Sequence, residues 1–372
     1  MAKSPADIQR FVGLARRVYP PDSPGVLPLD SDVRGALSSD IPLANGGGYV
    51  EPLLLEDANG EVVGRATLQG HPRWDAHLGR QMAFFGHFEL LPSHIAGGAT
   101  LLDEIKARAQ AHGATRLVGP ANLTPNQTMG FLLAGFHERN GVDAVYTHPA
   151  YVRLMDEGGF ELTLRMTTYG VEDLRAVPRD RLLTGSRRRE LATQGFTFRS
   201  FERNRPNADL EALRLLINAS FDRAETNPYF VPLTTDEFAF ELGELPRLVV
   251  PELVRYAERD GEPVGAALVV PDYNEVTQPL RGEIRSPRLL QAAWRWKRLK
   301  TATLILIALA PAVQGRGIGR ALVGDAIDAL LRRGYRRLNI TWVADSNAGS
   351  AALWTAIGAR PLHRVGVYAF DF

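Results

Sequence analysis

The chain has 372 residues, which favours two domains over one because a domain averages roughly 150 residues. With 45% hydrophobic and 23% charged residues the composition is that of a globular protein, which excludes collagen, coiled coil and disorder. The formal net charge is +1 and cysteine is absent, so we expect no nucleic-acid partner, no disulfide and no cysteine nucleophile.

The amino-terminal stretch lacks the apolar core of a signal peptide, and one of the longest apolar runs, Leu304 to Ala310, is far too short to cross a bilayer. We therefore expect a cytoplasmic protein without integral membrane association. No histidine has the spacing of a metal-ligating motif, so no metal site is predicted.

The same order of signals occurs twice along the chain, which predicts two domains of one plan. In the first half, two strands flank the turn Asn59-Gly60 and a third, apolar strand covers Ala83 to Leu91. In the second half, two strands flank Asp260-Gly261 and the corresponding apolar strand covers Ala302 to Ala310. A proline, a loop of small residues and a helix follow the apolar strand in both halves. The second half then adds a strand, a helix and a strand.

The boundary between the halves is placed near Gly170, which predicts domains over residues 1–170 and 171–372. The main length difference is an insert in the second half, Arg281 to Lys300, directly before the apolar strand. It carries seven basic residues against one acidic residue, with two tryptophans among them. This pattern favours an anionic or acyl-chain ligand or a membrane-surface helix, and a connector with solvated arginines is the alternative.

A glycine-rich loop between the apolar strand and the amphipathic helix of the second half is the strongest local feature. Backbone N–H groups at a helix N-terminus attract anions, and glycine lets an anion approach the chain, so the loop predicts a phosphate site. A nucleotide P-loop requires Lys and then Ser or Thr where Arg320-Ala321 stand, and a dinucleotide fingerprint requires Gly at position 320, so both are excluded. A plain tight turn is the alternative interpretation.

Two motifs of the second half resemble those of the GNAT superfamily, the acetyl-CoA-dependent N-acyltransferases, over roughly residues 210–372. They are Pro311-x-x-Gln314-x-x-Gly317-x-Gly319 and Asn347-x-x-Ser350-x-x-Leu353-Trp354. The resemblance implies an α/β (α+β) fold of two tandem GNAT-like domains, each a mixed, mostly antiparallel sheet flanked by helices. It also implies acetyl-CoA or another acyl-CoA as co-substrate and a small-molecule amine that attacks directly in a ternary complex, which agrees with the missing cysteine.

The resemblance assigns residues to the acyl-CoA. Leu309 would offer backbone groups to the acyl carbonyl and pantetheine, and Asn347 would contact the pantetheine arm unless it is only a helix N-cap. Trp354 stands where many members carry a tyrosine thought to protonate the departing thiolate. An indole N–H is too weak an acid for that, so we expect Trp354 to pack beside the pantetheine and thioester, with core packing as the alternative. The pyrophosphate would be held by Gln314, Gly315, Arg316, Gly317, Ile318, Gly319 and Arg320.

Candidates for the chemistry at the acceptor lie outside these motifs. The apolar strand contains no acid, so the candidate general bases are Asp272 and Glu275, after the preceding strand, and a solvated loop pair is the alternative. Asn227, Tyr229 and Phe230 follow a helix where the family places acceptor-binding loops, and core aromatics are the alternative.

The first-half loop, residues 92–99, is two residues shorter after its proline and has Ala96 where the second half has Gly317. We therefore expect a degenerate first domain that is structural or shapes the acceptor site. Two other functions stay open: a catalytically idle acyl-CoA-binding or scaffold protein, and a long-chain N-acyl amino acid synthase. The insert is the feature that favours the latter.

Overall fold

The computed structural model describes residues 4–182, 185–243, 249–284, 292, 294–296 and 298–372. The strands among these residues are β1 (Tyr49–Glu56), β2 (Val62–Gly70), β3 (Met82–Leu90), β4 (Arg116–Gly119), β5 (Phe131–Ala134), β6 (Glu161–Val171), β7 (Phe196–Ser200), β8 (Val254–Arg259), β9 (Glu262–Pro271), β10 (Thr301–Leu309), β11 (Arg337–Ala344) and β12 (Arg360–Asp371).

Helices cover both faces of this sheet. They are α1 (Pro5–Val18), α2 (Asp30–Ala36), α3 (Pro72–Leu78), α4 (Gly98–Ala111), α5 (Ala150–Glu157), α6 (Gly185–Thr193), α7 (Pro206–Phe221), α8 (Thr235–Leu242), α9 (Asn274–Thr277), α10 (Ile318–Arg332) and α11 (Ala348–Ala356). No helix of the described ranges is long and apolar enough to cross a bilayer.

The strands form one continuous sheet in the order β1-β2-β3-β4-β12-β6-β11-β10-β9-β8-β7, and β5 pairs with β12 outside this path. Most neighbours are antiparallel, and β3 with β4 and β10 with β11 are the parallel pairs. The two predicted hairpins, β1 with β2 and β8 with β9, are confirmed. The mixed, mostly antiparallel sheet flanked by helices is thus as predicted.

The two halves exchange their last strands. β12, at the end of the chain, lies between β4 and β6, and β6, at the end of the first half, lies between β12 and β11. Each half is completed by a strand from the other, so backbone hydrogen bonds join them across the sheet. The domain boundary near Gly170 stays a prediction.

The parallel pair in the second half is short. β10 and β11 are paired only over Thr301 to Leu304 and Arg337 to Ile340. Beyond this point β10 continues alongside β9 and β11 alongside β6, with a register shift in β10 between Leu304 and Leu306. The two strands therefore separate and leave a gap in the sheet toward the glycine-rich loop.

The predicted amphipathic helix after this loop is α10, which lies against β8 and β9. The apolar face of α10 is buried in a core that also contains residues of β9, β10 and β11. The residues of this face include Leu322, Val323, Ala326, Ile327 and Leu330. This packing fixes the N-terminus of α10 next to the gap between the strands.

Candidate active site

The glycine-rich loop brings the open N-terminus of α10 to the surface. Gly317 is the N-cap and has φ 80°, a left-handed conformation that glycine adopts without steric strain, and no side chain caps the first turn. The backbone N–H groups of that turn are therefore available to an anion. The side chain of Ile318 is fully buried, so only its backbone can contribute.

A guanidinium group, which is ion-paired with Glu190, lies beside this loop. Arg187, on α6, donates to the carbonyl oxygen of Arg316 over 2.6 Å. A Cβ atom at Gly317 would lie 3.6 Å from Nε of Arg187, so the guanidinium covers the same glycine. The sequence motifs gave no sign of Arg187, because it lies in the junction far from the loop in the chain.

A cavity of about 990 Å³ occupies the gap between the separated strands and continues to the first half. That volume is at the upper end of the roughly 300–1,000 Å³ typical of small-molecule sites. Strand residues Leu304 to Ile307 and Ile340 to Ala344 form one wall. Other wall residues come from both halves and are mainly apolar, including Leu123, Met129, Leu164, Ile217, Phe221, Leu233, Phe238 and Leu268.

Two residues assigned to the pantetheine arm line this cavity. The side chain of Asn347 accepts a hydrogen bond from the backbone N–H of Ser350 over 3.1 Å, so Asn347 is also the N-cap of α11. Trp354 is 1% exposed and belongs to the core of the second half. Its buried indole N–H has no hydrogen-bond acceptor within the described part of the chain. Trp354 therefore packs in the core and also forms part of the cavity wall.

The backbone groups of Leu309 are engaged within the protein. Its N–H donates to Oγ of Ser220 over 3.2 Å, and its carbonyl accepts from Nε2 of Gln314 over 3.0 Å. The cavity wall is formed instead by the preceding stretch of β10, around the register shift between Leu304 and Leu306. The contact of the Leu309 backbone with the acyl carbonyl and pantetheine stays a prediction. The register shift could not be predicted from the apolar sequence of β10.

The three acceptor candidates, Asn227, Tyr229 and Phe230, all line the cavity. The hydroxyl of Tyr229 is 2.6 Å from Oγ1 of Thr163, and its ring packs edge-on against Phe84 at a centroid distance of 6.2 Å. Tyr229 therefore serves as a core aromatic residue between the halves as well as a wall of the cavity.

The two base candidates lie together, but away from the cavity wall. Asp272 is fully buried and accepts hydrogen bonds from Nη2 of Arg139 over 3.0 Å and Nδ2 of Asn339 over 2.9 Å. Burial raises the pKa of Asp272, against the opposing effect of Arg139. Glu275 forms a hydrogen bond with the hydroxyl of Thr301. Asp272, in the second half, is thus linked to the first half through its hydrogen bond with Arg139. Its role as a base stays a prediction.

Besides the exposed Asp32, on α2, two carboxyl groups that stand outside the sequence motifs line the cavity. They belong to Asp143, in the first half, and Glu241, on α8. Burial raises the pKa of Asp143 to about 7 and that of Glu241 to about 8. Oε1 of Glu241 accepts a hydrogen bond from Oγ1 of Thr124 over 3.0 Å. Neither residue stands in a motif, so no sequence signal could have identified them.

The insert and the first-half loop differ in their relation to the cavity. Ile284 and Trp296, from the insert, line the cavity and are 52% and 37% exposed, whereas Arg285, Arg288 and Lys297 lie outside the described residues. None of residues 92–99 is among the lining residues, and Gly97, the N-cap of α4, has φ −67°. The first-half loop thus lacks the left-handed N-cap seen at Gly317.

Comparisons with known proteins agree with this geometry. Residues 214–359 match the family model described as the acetyltransferase (GNAT) family. The chain is 25% identical to Protein YghO of Escherichia coli (strain K12), over 97% of this chain and 92% of the relative. It is 24% identical to the bacterial ceramide synthase of Caulobacter vibrioides (strain NA1000 / CB15N), over 98% of this chain and 95% of the relative.

Among solved structures, a tandem GNAT protein from the clavulanic acid biosynthesis pathway superposes with a TM-score of 0.59 at 15% sequence identity. The match covers 100% of this chain and 96% of that one, so the similarity of fold extends over both halves. Residues 214–359 are therefore similar to the acetyltransferase (GNAT) family, and the chain as a whole has the fold of a tandem GNAT protein.

Proposed function

We propose that this protein is an N-acyltransferase that binds an acyl-CoA in residues 171–372 and transfers the acyl group directly to an amine. The observation that carries the proposal is the cavity between β10 and β11, whose walls include the pantetheine candidates Asn347 and Trp354 and the acceptor candidates Asn227, Tyr229 and Phe230. In the first turn of α10, a Cβ atom at Gly319 would lie 3.9 Å from Cγ2 of Ile307, which lines the cavity. One site can therefore hold donor and acceptor together, as direct transfer requires.

The chemistry needs little from the protein beyond positioning. A neutral amine attacks the thioester carbonyl, and the C–N bond forms as the C–S bond breaks. The nitrogen loses one proton to solvent, and CoA leaves as a thiolate that takes up one proton from solvent. Donors directed at the developing oxyanion stabilise the transition state. The indole N–H of Trp354, which has no acceptor among the residues that the structure describes, is suited to a carbonyl oxygen of the donor, since it can donate but is too weak an acid to protonate the thiolate.

The size and lining of the cavity favour a long acyl chain over an acetyl group. Most wall residues are apolar, and an acetyl group would leave much of a cavity of about 990 Å³ unfilled. One relative is named a bacterial ceramide synthase, and because a ceramide is an amide, that name also implies transfer of an acyl group to an amine. We propose a long-chain acyl-CoA as the preferred donor and residues 1–170 as the half that shapes the acceptor site.

The test is product formation with a matrix of donors and acceptors. Acyl-CoAs from two to sixteen carbons would be incubated with amino acids, amino alcohols and alkylamines, and amides would be detected by mass spectrometry. The proposal expects amide formation that increases with chain length. Tight acyl-CoA binding without any amide would instead support an idle acyl-CoA-binding protein, and a preference for acetyl-CoA would contradict the long-chain donor.

A further inference from the structure

The cavity wall is mainly apolar, and among the described residues its carboxyl groups, besides the exposed Asp32, are those of Asp143 and Glu241. They come from opposite halves of the chain. Asp143 lies in the segment between β5 and α5, and Glu241 lies on α8. Within the described ranges, neither carboxyl forms an ion pair with Lys, Arg or His. Most other acids whose pKa is shifted accept a hydrogen bond from Arg, His or a backbone N–H group.

The position of Asp143 is fixed close to the point where β10 and β11 separate. A Cβ atom at Gly141 would lie 3.0 Å from Nδ2 of Asn339, on β11, and 3.4 Å from Oγ1 of Thr303, on β10. Val142 then packs in the core cluster that also contains Ala308 of β10, and Asp143 follows with φ 59°, a left-handed conformation that is uncommon for a residue other than glycine. This segment of the first half therefore approaches the strands on which the thioester would rest.

A residue of the first half holds the Glu241 side chain in place. Thr124, in the first half, is 7% exposed and donates its hydroxyl to Oε1 of Glu241. The charges that face Glu241 are those of Glu237, on its own helix, and Asp143, and both disfavour its ionisation. Asp143 in turn lies near the hydroxyl of Tyr273, which also lines the cavity. No positive charge from the described residues balances this pair.

The same cavity holds independent evidence of a polar ligand. The indole N–H of Trp354, 1% exposed and on the cavity wall, lacks an acceptor among the described residues. A buried donor of this kind is satisfied by a ligand oxygen, such as the carbonyl of an acyl donor. As far as the described residues show, this mainly apolar cavity has an unsatisfied buried donor and, in Asp143 and Glu241, two carboxyls without a cationic partner, which fits a ligand set with an apolar chain, a carbonyl and an ammonium group.

We propose that Asp143 and Glu241 bind the ammonium group of the acceptor and take its proton before attack on the thioester. This inference rests on the proposed function and deepens it by naming the proton acceptor and the chemical class of the acceptor, a primary amine on an apolar chain. The amine enters as R–NH3⁺ and gives one proton to the carboxylate pair. The neutral amine forms the C–N bond, the C–S bond breaks, and the second proton lost from nitrogen goes with the CoA thiolate or to water. The net products are amide, CoA thiol and one proton.

The burial that raises the pKa values of both carboxyls to about 7 and about 8 suits this role. A group that accepts a proton works best when its pKa lies near the working pH. Removal of one carboxyl therefore should slow the reaction at neutral pH by about 10²-fold or more, and less at high pH, where the acceptor is already neutral.

The experiment compares Glu241→Gln and Asp143→Asn with wild type. Glutamine keeps the oxygen that accepts from Thr124, and asparagine tolerates the left-handed conformation of position 143. Asp236→Asn, an exposed acid on the same helix, is the matched control. With a saturating acyl-CoA, kcat/KM for the amine is measured from pH 6 to pH 10. We expect a rise in wild type and in Asp236→Asn with a midpoint near 7 to 8, and a midpoint displaced toward the pKa of the free amine in the two variants.

A binding measurement separates failure of this inference from failure of the proposed function. Octylamine and octanol, which differ in charge, are titrated into wild type and both variants by calorimetry. The inference expects octylamine to bind wild type and to lose about tenfold or more in affinity in each variant, with octanol unaffected. Equal octylamine affinity in all proteins, or unchanged pH profiles in variants that bind acyl-CoA normally, would overturn it. Absence of turnover in wild type with retained carboxylate-dependent octylamine binding would overturn the proposed function alone.

Discussion

The side-chain amide of Gln314 donates a hydrogen bond to the carbonyl oxygen of Leu309 over 3.0 Å and so closes the loop between β10 and α10. Ser220, on α7, holds the N–H of the same leucine. These two hydrogen bonds hold the end of β10, the glycine-rich loop and α7 together. The sequence motif contains Gln314, and the structure gives it a physical reason: it fixes the shape of the loop that would receive the pyrophosphate.

Gln314→Ala should weaken CoA binding. Loss of one hydrogen bond of this kind costs about 0.5–1.5 kcal/mol, which corresponds to roughly two- to twelvefold in affinity if the loop must be ordered for binding. Calorimetric titration with CoA measures it, and Gln194→Ala, an exposed glutamine on another segment, is the control. An affinity equal to that of wild type would show that the Gln314 hydrogen bond does not support the site.

Substitution of Trp354 should separate packing from acid catalysis. Trp354→Phe keeps an aromatic ring and should retain turnover within roughly tenfold, about 1.4 kcal/mol of barrier. Trp354→Ala should destabilise the fold by about 3–5 kcal/mol or lose CoA affinity, because the residue is 1% exposed in the core. Steady-state kinetics and thermal unfolding measure these effects. A folded Trp354→Phe protein with normal CoA binding but turnover lowered by several orders of magnitude would contradict this account.

The described part of the insert should affect binding of an anionic donor through its charge. Arg298 lies over the ring of Trp294, with Cζ 3.6 Å from the ring centroid, and Trp296 lines the cavity. Reversal of Arg295 and Arg298 to Glu should weaken CoA binding at low salt and less at high salt, since the screening length falls from about 30 Å at 0.01 M to about 3 Å at 1 M. Titrations at both ionic strengths test this.

Reversal of two exposed arginines elsewhere, Arg153 and Arg259, provides the matched control. A loss of affinity that is the same at both ionic strengths, or the same in the control, would return the insert to the role of a solvated connector.

Glu241 should make stability depend on pH. Burial raises its pKa from 4.5 to about 8, so the folded state binds this proton more tightly than the unfolded state does. The stability that this proton contributes is fully present below about pH 4.5 and is lost as the pH rises to about 8. Glu241→Gln removes the effect, so its Tm relative to wild type should increase by on the order of a few degrees between pH 5 and pH 9. Scans of Asp236→Asn serve as the control, and a difference in Tm that does not change with pH would be inconsistent with a buried carboxyl.

The local elements could be predicted well because their signals are local. The turns Asn59-Gly60 and Asp260-Gly261 have glycines with φ 78° and 85°, as hairpins of this kind require, and β1 and β2 flank the first turn as predicted. The exchange of β6 and β12 between the halves could not be predicted. Alternation along β12 tells which side chains share a face but not which strand lies beside it, and its partners are distant in the chain.

Only part of the candidate site could be predicted from the sequence. The phosphate loop could be predicted because glycine spacing and a helix N-terminus are encoded together in one short segment. Asp143, Glu241 and Arg187 could not, because each comes from a segment without a motif and acquires its place only through tertiary packing. The pairing of Asp272 with Arg139 shows the converse: an acid that looked like a loop residue in sequence is fully buried.

Release of CoA thiol in the presence of a long-chain acyl-CoA and an amine tests the central claim most directly. The chain contains no cysteine, so a thiol reagent reports only CoA. Wild type is compared with Gly317→Glu, which places a side chain and a negative charge at the anion site, and with Gly261→Glu. The latter introduces the same residue at a left-handed glycine in open space at the β8–β9 turn. We predict amine-dependent thiol release by wild type and Gly261→Glu and none by Gly317→Glu, whereas release by folded Gly317→Glu at the wild-type rate would contradict the account.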